Sequence, residues 1–100
     1  MSMTFRDFES QVVPVKSEPN LGALGMLLYQ SNGLAGEAGE VCNNVKKVVR
    51  DGAEFEPVLM ECGDVLFYMK RLLRMRGYTI EDAGHVLIIK LERIRLGLEQ

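Results

Sequence analysis

Long hydrophobic runs are missing from this sequence, and nowhere does it approach the ~20 consecutive apolar residues that a helix needs to cross a bilayer. The opening residues, Met1 to Glu9, include Asp7 and Glu9 and no continuous apolar stretch, so no secretory leader is expected. Cysteine is scarce. Cys42 and Cys62 form no C-x-x-C pair and are expected to be reduced, small and buried rather than bridged. Histidine is scarcer still. His85 stands alone, which sets aside a di-iron bundle built on two Glu-x-x-His motifs. An excess of charge of either sign is lacking too. A net −2 over 100 residues points neither to nucleic acid nor to an anionic membrane. There is no low-complexity tract and no convincing period-2 alternation for a strand. What these absences leave is one cytoplasmic, all-α domain over residues 1–100, with neither nucleic acid nor membrane as partner.

Four helices can be read along the chain. Thr4 to about Val13 forms a short one, with Thr4 as N-cap and Phe5, Phe8 and Val12 on one face. Pro14, Pro19 and Asn20 mark a connection, and Asn20 could cap the second helix. Leu21 to about Arg50 reads as one long helix with an apolar stripe of Leu24, Leu27, Leu28, Leu34, Val41, Val45 and Val48. Its glycines, Gly22, Gly25, Gly33, Gly36 and Gly39, each cost about 1 kcal/mol relative to Ala inside a helix. They imply close approach of a helix or ligand, or a break near Ser31-Asn32-Gly33. Asp51-Gly52 is a stop signal. A third helix starts near Glu56-Pro57, carries Leu59, Cys62, Leu66, Met69 and Leu73, and ends at Arg74, Arg76 and Gly77. Thr79 caps the fourth, whose apolar face is Ile80, Ala83, Leu87, Leu91, Ile94 and Leu98. The expected architecture is an antiparallel helical bundle of three main helices plus a short N-terminal one. So short a chain buries a modest core and is often helped by oligomerisation.

The chemistry gathers in two acid pairs. Glu37 and Glu40 lie three residues apart in Gly33-Leu34-Ala35-Gly36-Glu37-Ala38-Gly39-Glu40-Val41, and Glu61 and Asp64 three apart in Glu61-Cys62-Gly63-Asp64-Val65. On a helix that spacing places both acids of a pair on one face. None of the four has a Lys or Arg three or four residues away, where a solvated helical acid often has one. Twenty residues, Val41 to Met60, separate the pairs, enough for the rest of one helix, a turn and the start of the next. A helical hairpin would bring the pairs face to face, with Gly36, Gly39 and Gly63 letting the backbones approach. Four inward carboxylates repel and raise one another's pKa values unless a cation is present. Oxygen ligands without His or Cys suit Mg²⁺, or Mn²⁺ in its place. Mg²⁺ held by carboxylates commonly binds substrate phosphates as well. Lys47, seven residues beyond Glu40, and Arg71, seven beyond Asp64, are placed to meet the far end of a polyphosphate.

Taken together these residues resemble the MazG-like nucleoside triphosphate pyrophosphohydrolases of the all-α NTP pyrophosphatase superfamily. The Gly33–Val41 stretch is similar to that family's first motif, and Glu61-Cys62-Gly63-Asp64-Val65-Leu66-Phe67-Tyr68 to its second. Lys46-Lys47 and Arg50 follow as its basic segment does, and Lys90-Leu91-x-x-Ile94-Arg95 resembles its closing helix. The likeness covers roughly residues 5 to 96. It implies Mg²⁺-dependent hydrolysis of a nucleoside or deoxynucleoside triphosphate to the monophosphate and pyrophosphate. It also implies Glu37, Glu40, Glu61 and Asp64 as catalytic metal ligands, with Glu37 favoured to orient the attacking water. Lys90 joins Lys47 and Arg71 as a substrate contact, and self-association as a dimer or tetramer is implied. One position departs from the pattern: Leu87 stands where the family often has Asn. Two other functions compete. One is hydrolysis of phosphoribosyl-ATP within the same superfamily. The other is a non-catalytic helical module for oligomerisation or nucleotide binding, to which Leu87 lends weight.

Overall fold

A computed structural model of the chain describes residues 2–11 and 21–98. Four helices account for most of them: α1 (Phe5–Gln11), α2 (Gly22–Asp51), α3 (Glu56–Arg74) and α4 (Ile80–Arg95). No strand occurs among the described residues. The local signals in the sequence act where expected. Thr4 and Asp7 exchange hydrogen bonds at the start of α1, Asp7 N–H to Thr4 Oγ1 and Thr4 N–H to Asp7 Oδ2, both 3.1 Å. Thr79 and Asp82 form the same reciprocal cap on α4. Pro57 sits in the first turn of α3. Gly52, at φ 67°, takes the left-handed conformation that ends α2; its N–H donates to the Val48 carbonyl (3.1 Å) and the Ala53 N–H to the Lys47 carbonyl (3.4 Å). Val12, Pro14, Pro19 and Asn20 lie outside the described residues.

α2 runs unbroken through Ser31-Asn32-Gly33, so the glycines are absorbed rather than used as a break. Its contacts with α3 dominate the packing, while α4 meets α1 and α3 lightly. Met26 and Gln30 share a cavity with Arg71, Arg74 and Met75; further along α2, Glu37 lies beside Glu61 and Asp64. Gly33 is the glycine that lets the two helices close. A Cβ there would stand 2.3 Å from Cε1 of the Tyr68 ring, whereas one at Gly36, Gly39 or Gly63 would meet nothing within 4 Å. The close approach expected at those three glycines is therefore made at Gly33, one turn earlier. Ala at Gly33 should push Tyr68 aside and destabilise the protein by about 2 kcal/mol. Ala at Gly39 should be neutral or stabilising by up to about 1 kcal/mol. Urea denaturation of the two variants checks the contrast; equal midpoints would contradict it.

Burial departs from the apolar stripes. Val58 and Ile80 are the buried apolar side chains among the described residues. Leu24, Leu28 and Leu59 are exposed, as are Leu87 and Leu91 on α4. Cys42 and Cys62, expected inside, are exposed free thiols, because no other helix of the single chain covers these positions. α1 is held down by a polar tie instead. The buried Glu9 carboxylate accepts the Ile80 N–H at the start of α4 (3.0 Å) and pairs with Arg74 at the end of α3 (3.3 Å). A carboxylate at a helix N-terminus is favoured by the dipole and satisfies an orphan N–H.

Candidate metal centre

Glu37 comes from the middle of α2, and Glu61 and Asp64 from the first half of α3. One carboxylate oxygen from each lies within 4.8 Å of the other two. Neighbouring oxygens on one octahedral Mg²⁺ are ~3.0 Å apart, so the three carboxylates would have to close by up to about 2 Å to share an ion. Glu37 and Glu61 are half-buried and Asp64 is exposed, which leaves an open side for water and a ligand. Glu40 stays outside this group and is exposed, although its charge still acts on Glu37.

The crowding has an electrostatic signature. The Glu37 carboxyl is pushed up from 4.5 to about 7. A hydrogen bond shared with Glu61 is the largest cause, followed by burial and then by the negative charges of Asp64, Glu61 and Glu40. The folded protein therefore holds a proton on Glu37 that the unfolded chain releases near pH 4.5. Stability from this group is full below that pH and is lost as the pH rises towards 7. With solvent screening at a partly exposed site the loss is about 1 kcal/mol. The Tm of metal-free protein should thus fall by several degrees across that window. Glu37→Gln should flatten the fall, and Mg²⁺ at pH 8 should raise the Tm of the wild type but not of the variant. A flat wild-type profile in calorimetry would count against the cluster.

The remaining candidates do not converge on one end of the site. Lys47 is exposed near the C-terminus of α2, beside Asp51, whose carboxyl is held below its usual range chiefly by the hydrogen bond from Arg50 and to a lesser extent by Lys47. Arg71 lies on the other side of the acids, against Met26 and Gln30. Gln30 and Lys47 are seventeen residues apart on one helix, or about 25 Å. Lys90 is exposed partway along α4, outside the acid cluster. Two buried polar residues went unread in the sequence, Gln30 at 1% exposure and Lys70 at 9%. The Lys70 ammonium is pushed below its usual range by burial first and then by Arg71 and Arg74, with Glu9 opposing. The spacing of Gln30, seven residues before Glu37 and so nearly on the same face, was the signal that could have found it.

No protein-family model matches the chain, and no solved structure matches it. Among curated proteins it is similar to the gene 37 protein of Mycobacterium phage L5, at 40% identity over 52 aligned positions. That match covers 46% of this chain and 46% of the relative, so the chain spans less than half of the relative's length.

Proposed function

We propose that this chain is a Mg²⁺-dependent nucleotide pyrophosphohydrolase of the MazG-like type. In this reading α2 and α3 form an antiparallel hairpin, and copies of the chain assemble into a homo-oligomeric bundle. One observation supports the catalytic part: carboxylate oxygens of Glu37, Glu61 and Asp64, from two helices, lie within 4.8 Å of one another, and a hydrogen bond to Glu61, burial and the neighbouring charges push the Glu37 carboxyl up to about 7. The donor set is all oxygen and open on one side, as Mg²⁺ or Mn²⁺ requires. Glu37, Glu61 and Asp64 would hold the ion, with Glu40 one turn along as a further acid. When bound, the ion supplies Lewis acidity and screens phosphate charge.

The chain's own residues then do the rest. Glu37, partly shielded and beside Glu61, is placed to orient a water and take its proton. The water oxygen bonds to the α-phosphorus, the bond from that phosphorus to the bridging oxygen breaks, and pyrophosphate leaves. Incubating the purified protein with a panel of NTPs and dNTPs and assaying pyrophosphate tests the reading. Metal-dependent release is the expected result, and none with any nucleotide overturns it.

Self-association is supported by surface. Much of α4 is exposed apolar side chain, Val86 to Ile89 and Leu91 included, and a second copy would cover it.

A further inference from the structure

Along α4, Gly84, Leu87, Leu91 and Ile94 follow one another at intervals of three, four and three residues, the spacing that keeps one seam of a helix turned to a partner helix. Ile80 begins the same seam and is covered within the chain, at 5% exposure. Beyond it the seam lies open: Leu87 is 52% exposed, Leu91 53% and Ile94 37%. A Cβ at Gly84 would meet nothing within 4 Å, so the missing side chain serves no packing inside the single chain. Glu81, Ile88 and Arg95 stand seven residues apart and form one row along the edge of the seam. All three are exposed, and the row starts with an acid and ends with a base.

We propose that α4 packs antiparallel against α4 of a second copy of the chain along this seam. The proposal rests on the self-association read above, and it names the helix that makes the contact and its direction. Turned about a two-fold axis, the seam is complementary to itself. Leu87 of each copy meets Leu91 of the other, and the space left at Gly84 takes Ile94 of the other. On the edge, Ile88 meets its own counterpart, and Glu81 of each copy faces Arg95 of the other. Glu92 on the same helix already holds two of the Arg95 donors. A guanidinium has five, and this one is 67% exposed, so three remain for a second carboxylate. The opposite edge sets Lys90 against Lys90, one like-charged pair whose long side chains extend into solvent. A parallel pairing does worse. It sets Gly84 against Gly84, which leaves a gap, and puts Lys90 of each copy beside Arg95 of the other, with no opposite charge on α4 in return.

The test is the self-association constant of the full chain, measured by sedimentation equilibrium, for wild type, Glu81→Lys, Arg95→Glu and the double variant. Each single change removes both symmetry-related ion pairs and turns them repulsive, so each should weaken association by about tenfold. The double variant should recover wild-type affinity, and so should an equal mixture of the two single variants. Recovery in the mixture is what a merely structural loss could not produce. A parallel contact would instead leave Glu81→Lys unchanged and tighten Arg95→Glu. Either of those results overturns the proposal, as does a mixture that fails to recover. If Arg95→Glu does not fold, Glu81→Lys still decides, because unchanged affinity there overturns the antiparallel contact. A wild type that associates but ignores these charges sinks this proposal alone. A wild type that stays monomeric sinks the self-association reading with it.

Discussion

If the proposed hydrolase reading holds, Glu61→Gln should lower kcat/KM for pyrophosphate release by about 10³-fold or more, and Asp64→Asn should do the same. Each substitution keeps the side chain's size and removes a charge on which a bound ion would depend. Neither should unfold the protein. The three acids repel one another without a cation, so removing one charge relieves strain rather than adding it. The wild type's metal-free Tm is therefore matched or exceeded by the variants, and their gain on adding Mg²⁺ disappears. This joint outcome separates a metal ligand from a structural acid, whose loss would lower the Tm. Glu40→Gln is the informative neighbour. Glu40 lies outside the close group of three, so its effect on activity should be smaller than that of Glu61. An active Glu61→Gln enzyme would refute the metal centre.

A charge placed on α4 should break the assembly. Leu91 is about half exposed in the single chain, on a helix held to the rest mainly near its start. If a second copy covers that face, Leu91→Glu buries a carboxylate among apolar groups at a cost of several kcal/mol. Association should weaken by at least 10³-fold, equivalent to about 4 kcal/mol. Sedimentation should then shift from a dimer or larger to an 11.2 kDa monomer. The same variant should lose much of its thermal stability, because few apolar side chains are buried within one chain. Wild-type protein that sediments as a monomer at tens of micromolar would contradict this.

Much of the helical framework is set by short-range chemistry, and so it was legible in the chain. Thr4 with Asp7 and Thr79 with Asp82 each close a cap across three residues. Pro57 and Gly52 act through their own backbone angles. The acid triad was also legible, because helical period and loop length bring Glu37, Glu61 and Asp64 together. Apolar spacing was a poorer guide to burial. It marks a face that wants covering, and it does not say whether the cover comes from the same chain. Hence Ile80 is buried while Leu87 and Leu91, on the same predicted face, are exposed.

Other features depend on which residue of α3 faces which residue of α2, and no local pattern encodes that register. It puts Tyr68 against Gly33 rather than packing α3 against Gly36 or Gly39. It carries Arg71 to Gln30 and leaves Lys47 at the far end of α2. The tie from Glu9 to Ile80 and Arg74 spans more than sixty residues of chain and exists only once α1, α3 and α4 are in place. The sequence alone thus determined the helices, their caps and a pair of acidic faces. Tertiary structure decided that three of the four acids meet, and that a buried amide and an arginine fork lie two turns away.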